Sequence, residues 1–213
     1  VSQGSVGIPI SDVVKILLSR VPFVTLEADW PSTWETILWQ LRWPRVVLAG
    51  IVGASLAACG AAYQGLFKNP LADPYLIGVA SGAGLGATIV LVSSVPLFVL
   101  GISVLPAAAF AGGMVAVVLA YMIARQSSGT ALTTLILAGV AIASLAGAVT
   151  SLLMIRSDPD VKPVLSWLLG GFISARWSHS AFVLAYLLPA GLTFAAYGRI
   201  LNVLQLDEDH AAQ

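Results

Sequence analysis

Two arginines, Arg42 and Arg45, flank a tryptophan and a proline in the string RWPR, directly before the first long apolar run of the chain. A spacing of three puts both on one face of a helix, and a guanidinium carries a planar fork that holds a carboxylate through two parallel hydrogen bonds. The chemistry on offer is therefore carboxylate recognition. The same pair at the edge of a bilayer also serves as an anchor, with its stems in lipid and its heads in water, and the residues alone leave both roles open. A second polar group lies within QGLFKNPLADPYLIGVASGAGLGA at 64–87, where Asn69-Pro70 and Asp73-Pro74 interrupt apolar sequence. Each proline presets φ and removes a backbone donor, so this clasp reads as a turn that ends one helix and begins the next.

Other chemistry is excluded by what the chain lacks. Cys59 stands alone inside an apolar run and reads as a small packing residue. His179 and His210 have no second ligand nearby in sequence, so no metal centre is expected. No nucleophile is paired with a base and no carboxylates are paired within the apolar runs, which argues against a membrane-embedded enzyme. No G-x-x-x-x-G-K-[ST] phosphate loop is present, so ATP hydrolysis would belong to a separate chain. Nor does any apolar run carry the deep ionisable side chain that a proton- or sodium-coupled carrier needs.

The elements that must position these residues follow from charge placement. Hydrophobic residues make up 58% of the 213 and charged ones 9%, with a mean hydropathy of +0.94, a membrane composition. Ten basic and ten acidic residues cancel, leaving no net field to attract nucleic acid. Eight of the twenty charges precede Val46, and the rest cluster at Lys68 to Asp73, Arg125, Arg156 to Lys162, Arg176, Arg199 and Asp207 to Asp209. A bilayer core of about 30 Å needs roughly 20 apolar residues of helix. The uncharged gaps predict five membrane helices, near 46–67, 75–94, 97–124, 130–155 and 178–198, with a turn near Ser93 to Pro96. Strands of a membrane barrel would alternate apolar and polar residues, which these runs do not.

Residues 1–45 are mixed in polarity and hold no signal peptide, and the chain reads as a piece of something longer. They form an external segment with short amphipathic helices, one capped by Ser11 and running to Arg20, another capped by Ser32 or Thr33. Residues 46–199 form the membrane bundle and 200–213 a tail. Small residues recur every four positions at Gly53, Ala57, Ala61 and Gly65, at Gly78, Gly82 and Gly86, and at Gly139, Ala143, Gly147 and Ser151. Such stripes let helix backbones approach closely, which matters where apolar side chains gain little by leaving lipid.

Five stretches in order, RWPR at 42–45, the 64–87 clasp, LILAGVAIASLAGAVTSLL at 135–153, LSWLLGGF at 165–172 and LNVLQLDEDHAA at 201–212, resemble the FecCD permease family. This family supplies the membrane subunit of binding-protein-dependent ABC importers for iron chelates, haem and cobalamin. The resemblance implies an all-α, polytopic type II importer permease of ten membrane helices, of which this chain matches helices two to six. It implies that residues 1–45, the turn near Pro96 and Arg156 to Trp177 are external, while Lys68 to Pro74, Arg125 to Gly129 and Arg199 onward are cytoplasmic. Charge does not fix that orientation, because the external loops hold at least as many Lys and Arg as the internal ones.

In such importers, arginines at the RWPR motif receive glutamates of a substrate-binding protein. Trp43 stands where a smaller aliphatic residue is usual. The resemblance places Leu132 and Thr133 at a cytoplasmic gate, although the threonines of SSGTALTT fit ordinary helix capping equally well. It makes Asn69, Pro70, Asp73 and Pro74 a cytoplasmic turn near the ATPase. It also makes Leu206, Asp207, Glu208 and Ala211 the start of a segment coupling to the ATPase, where this chain lacks the family's usual glycine after the leucine. RSDPDVKPVLSWLLGGF at 156–172 becomes an external loop followed by a short helix at the pore mouth, with Arg156, Asp158, Asp160 and Lys162 in a solvated loop.

The implied partners are a second permease copy or paralogue, two cytoplasmic ATPase subunits carrying ATP and Mg, an extracytoplasmic binding protein, a chelate substrate and the lipid of a bacterial or archaeal cytoplasmic membrane. The chain itself is expected to bind no cofactor and no nucleic acid. A membrane scaffold that transports nothing fits the composition but gives no account of five ordered motifs.

Overall fold

A computed structural model describes residues 2, 4–22, 28–93, 95–99, 102–126, 131–156 and 161–205. Its helices are α1 (Ile10–Leu18), α2 (Ser32–Thr36), α3 (Trp43–Phe67), α4 (Val79–Val92), α5 (Val104–Gln126), α6 (Ala131–Arg156), α7 (Lys162–Leu168) and α8 (Trp177–Gln205). A π-type stretch, Ile37–Arg42, joins α2 to α3, and a 3-10 turn, Pro74–Ile77, precedes α4. Two residues on each side, Phe98–Val99 (β1) and Ile102–Ser103 (β2), pair antiparallel between α4 and α5, Phe98 opposite Ser103. Among the described residues four helical segments are long and apolar enough to cross a membrane: Ser32–Phe67, Val104–Gln126, Thr133–Arg156 and Trp177–Arg199.

The chain divides into two compact units, Val1–Ala58 with Phe172–Ile200 and Cys59–Gly171 with Leu201–Gln213. In the first, Ile8, Val13, Ile16 and Leu38 form a buried cluster, flanked by Leu17, Trp30, Trp34, Ile37, Trp39 and Trp43. Val13 and Ile16 are three apart, so one stripe of α1 faces this cluster. Ion pairs fasten the same segment from outside: Lys15 to Asp29 at 3.2 Å and Arg20 to Glu35 at 3.0 Å. The Asp29 carboxylate holds the Lys15 ammonium above the usual lysine range. Both pairs are exposed and add little stability.

In the second unit α4 packs on α5 and α6, α5 packs on α6, and α7 lies against α4. Its interior is made of small residues. On α5, Ala116, Ala120 and Ala124 are buried while Leu119, Tyr121 and Ile123 are about half exposed. A protein folding in water buries the large apolar side chains first; here the large ones face outward and the small ones inward, as suits helices in lipid. Gly82 and Gly86 of α4 lie on Gly112 and Ala108 of α5, where a Cβ on Gly82 would stand 2.5 Å from the Gly112 carbonyl oxygen. Gly139 of α6 meets the backbone of Leu76 and Ile77, and a Cβ there would come within 2.6 Å of the Ile77 Cα. Thr88, fully buried, donates its hydroxyl to the Gly84 carbonyl at 2.8 Å, so no polar atom is stranded there.

Several expectations need revision. Ser11 lies inside α1, and Ser32 and Thr33 inside α2; the N-cap positions fall to Pro9 and Pro31 with no side-chain cap. The run at 75–94 does not make one long helix. Gly78 adopts φ 81°, left-handed, so the 3-10 turn ends there and α4 has only 14 residues, about 21 Å at 1.5 Å each. The connection after it is the β1–β2 pair, and α5 starts at Val104 instead of near 97. The stripe of Gly53, Ala57 and Ala61 is exposed, and a Cβ on Gly53 or Gly147 meets nothing within 4 Å among the described residues.

The packing predicts a contrast between glycines of one composition. Gly86→Ala, which forces a methyl onto the Ala108 carbonyl, should cost about 1–3 kcal/mol and lower the apparent Tm in detergent by about 3 °C or more. Gly53→Ala and Gly147→Ala should leave Tm unchanged or slightly raised through better helix propensity. Equal effects at all three positions would show that the α4–α5 contact is not limiting.

Candidate functional site

Pro44 shapes the head of α3. It lacks an N–H to offer the Gln40 carbonyl and its ring crowds that carbonyl, and the chain loosens to the π pattern, with the Trp43 N–H bonded to the Leu38 carbonyl five residues back. Pro44 itself is fully buried. Across this loosened turn Trp39 and Trp43 stack at 6.2 Å, and the Arg20 guanidinium lies 5.6 Å from the Trp39 ring centre. The result is a cluster of aromatic faces and cations within a few residues of the apolar run.

Both arginines of RWPR turn back onto the chain, in different directions. Arg42 Nη1 donates to the Ser2 carbonyl at 3.1 Å and Nη2 to the Val6 carbonyl, pinning the N-terminal segment. Arg45 Nη2 donates to the Ile173 carbonyl at 2.7 Å. Beside it Trp177 Nε1 donates to the Trp39 carbonyl at 2.8 Å, a second tie between the π stretch and the segment preceding α8. One face thus serves two segments. The buried Trp39 Nε1, Trp43 Nε1 and Arg45 Nε have no hydrogen-bond partner among the described residues. The site is rich in donors, a match for acceptor groups such as carboxylates.

The polar clasp is a built helix stop. Lys68 N–H bonds the Gly65 carbonyl at 3.3 Å and Asn69 N–H the Gln64 carbonyl at 3.2 Å, the paired pattern of a Schellman cap, with Lys68 at φ 47° where glycine is usual. Asn69 Oδ1 accepts from the Leu71 N–H at 2.9 Å, and Asp73 Oδ1 from the Tyr75 N–H at 2.7 Å, with Pro74 opening the 3-10 turn. Asn69, Pro70, Asp73 and Pro74 therefore hold the backbone, Pro70 inside the first Asx turn and Pro74 inside the second. Gly78 at the end of the turn fits under the Gly139 carbonyl and near the Ala143 backbone.

The remaining expected site residues lie apart. Leu132 and Thr133 fall in the first turn of α6. Leu206, Asp207, Glu208 and Ala211 lie outside the described residues, as do Asp158, Asp160 and His210. His179 accepts the Arg176 N–H at its Nδ1, 3.3 Å away, a helix-start bond in place of a ligand. Two groups escaped sequence reasoning. One is the Ile173 and Trp177 side of the arginine site, some 130 residues downstream in sequence with no local signal. The other is the Ala108 and Gly112 face of α5, whose four-residue spacing continues to Ala116 and could have been found by the same search that picked out α4.

Three outcomes follow. A charged hydrogen bond contributes about 1.5–3 kcal/mol, so Arg42→Ala should speed amide exchange of residues 4–8 by about tenfold or more and leave 172–176 unchanged, while Arg45→Ala should do the reverse. Exchange mass spectrometry reads both. Lys68→Gly should relieve the left-handed backbone and raise stability by about 1 kcal/mol, seen as a higher Tm.

Over residues 1–213 the chain matches the FecCD transport family. It is 36% identical over 220 residues to the cobalamin import system permease protein BtuC of Halobacterium salinarum, covering 96% of this chain and 58% of that protein. It is 37% identical to the ABC transporter permease protein YvrB of Bacillus subtilis, covering 99% and 60%, and 39% identical to the vitamin B12 import system permease protein BtuC of Yersinia enterocolitica, covering 86% and 56%. A solved metal-chelate type ABC transporter in an inward-facing conformation superposes with a TM-score of 0.74 at 29% identity, covering 94% of this chain and 63% of the other. The chain spans about three fifths of the length of these relatives. With its full length matched and its fold shared, the chain belongs to the FecCD transport family.

Proposed function

We propose that this chain is part of the permease subunit of a binding-protein-dependent ABC importer, carrying a metal chelate or a cobalamin-like corrinoid across the cytoplasmic membrane of a bacterium or archaeon. The observation that carries the reading is the family match over residues 1–213, joined to the likeness to an inward-facing metal-chelate transporter. Relatives named for cobalamin import favour a corrinoid over a ferric siderophore or haem. The pathway forms with a second copy or a paralogue, and ATP with Mg is bound and hydrolysed on separate ATPase subunits. Alternating access is a shift between two global packings of the helices, biased by nucleotide.

In this reading Arg42 and Arg45 stand at the external end of α3 and dock the binding protein. The exposed ends of the two guanidinium groups support it, since an arriving carboxylate can bond them there, whereas the indole N–H groups of Trp39 and Trp43 are buried. Their carbonyl bonds give each guanidinium a fixed direction before the partner arrives, and preorganisation lowers the entropy lost on binding. Leu132 and Thr133 form a cytoplasmic gate, the Asn69 to Pro74 turn faces the cytoplasm near the ATPase, and Leu206, Asp207, Glu208 and Ala211 begin the coupling segment.

The test uses the complete permease with its ATPase in proteoliposomes. Arg42→Glu with Arg45→Glu should abolish retention of the cognate binding protein, a loss of about a hundredfold in Kd or more, while the assembled ATPase is retained. Unchanged binding-protein affinity would remove the docking role. Uptake of labelled cyanocobalamin, with no uptake of ferric siderophore, is the expected cargo result, and the converse would reassign the substrate.

A further inference from the structure

The cluster that roots α1 uses only part of its apolar surface. Residues of a helix succeed one another by about 100°, which divides α1 into three sectors. Val13 and Ile16 face the buried cluster, with Leu17 at its edge. Ser11, Asp12, Lys15 and Ser19 make a polar sector, with Lys15 paired to Asp12 and Asp29. Between them Ile10, Val14 and Leu18 line up at four-residue spacing and are 71%, 47% and 43% exposed, and Val21 continues the stripe beyond the helix at 47%. Leaving such a stripe in water costs about 25 cal/mol for each Å² that could be buried. The segment is too short to span a bilayer.

The level at which α1 sits is fixed by its neighbours. Its cluster includes Leu38 and packs against Trp39 and Trp43, the residues that open the long apolar segment Ser32–Phe67. Four of the six tryptophans in the chain, at 30, 34, 39 and 43, fall within residues 30–43, and Arg20 lies over one of them. Tryptophans and arginines mark the boundary between headgroups and hydrocarbon. A helix held against that boundary, with an exposed apolar sector beside a charged one, has the build of an interfacial helix.

We propose that α1 lies in the membrane interface, with Ile10, Val14, Leu18 and Val21 inserted among the lipid acyl chains and the Lys15 side in water. The occupant of the stripe is lipid, and α1 then anchors the head of α3 at a set depth. This goes beyond the transport reading and depends only on α3 crossing a membrane, so it stands or falls apart from any result on docking or cargo.

The experiment places single cysteines, one at a time, at positions 10 to 18 in a Cys59→Ala background, attaches a nitroxide label, and reconstitutes the full chain in phosphatidylcholine–phosphatidylglycerol vesicles. Collision with oxygen reports lipid and collision with a nickel chelate reports water. The oxygen-to-nickel ratio should peak at 10, 14 and 18, exceeding that at 11 and 15 by about fivefold or more. High nickel access at 14 would place the stripe in water and overturn the proposal. Low access to both reagents at 14 would mean that protein covers it, in this chain or a second copy, and would overturn it equally.

Discussion

Everything in the second unit depends on bare backbone meeting bare backbone between α4 and α5. A Cβ on Gly82 or Gly112 would meet the other's carbonyl oxygen, so neither position has room for a side chain. In water such a contact would be a minor addition to the burial of large side chains. In lipid the apolar side chains have little to gain by leaving one apolar medium for another, and close packing becomes the main source of association. The short approach also fixes α6, because Gly139 sits on the backbone that leads into α4. The left-handed Gly78 belongs to the same constraint: it turns the 3-10 segment into α4 at the place where Gly139 and Ala143 leave space.

The first unit is organised by the opposite means. Its head is held by long side chains and indoles, with Arg42 and Arg45 reaching carbonyls far away in sequence and Trp177 returning a bond to Trp39. Charged hydrogen bonds of this kind contribute more than neutral ones and more again where water is scarce. Pro44 makes the arrangement possible, since the π turn that it provokes lets Trp39 and Trp43 stack and sends the two arginines to different segments. A residue chosen for its missing donor thus sets where two donors point.

Long uncharged runs were legible as helices because no charge interrupts them, and α3 and α6 follow them closely, while α5 starts seven residues later than its run and α8 continues past its own. The break within 75–94 was harder to see. Glycine at 78 belongs to a regular four-residue stripe with Gly82 and Gly86, and only its φ reveals that it ends a turn while the other two pack a helix. Gly53 and Gly147 share that spacing without a near neighbour among the described residues, for a related reason: spacing identifies small residues but does not supply their partners. The α5 half of the contact was hidden in a segment where nearly every residue is small. At the arginine site the donors were legible and their acceptors were not, since backbone carbonyls carry no residue signature and those of Ser2, Val6 and Ile173 come from opposite ends of the chain.

The two kinds of contact also differ in how they can change. Glycine against glycine has no rotamers to reset, and separating Gly82 from Gly112 by even one ångström forfeits much of the dispersion attraction with nothing to replace it. The α4–α5 pair is therefore best regarded as one rigid piece. Guanidinium–carbonyl bonds, by contrast, can be exchanged for carboxylate bonds at nearly equal or better energy. The long described helices carry Asp, Glu, Lys and Arg only towards their ends, and at the head of α3 the two guanidinium groups already hold acceptors, Arg42 those of Ser2 and Val6 and Arg45 that of Ile173.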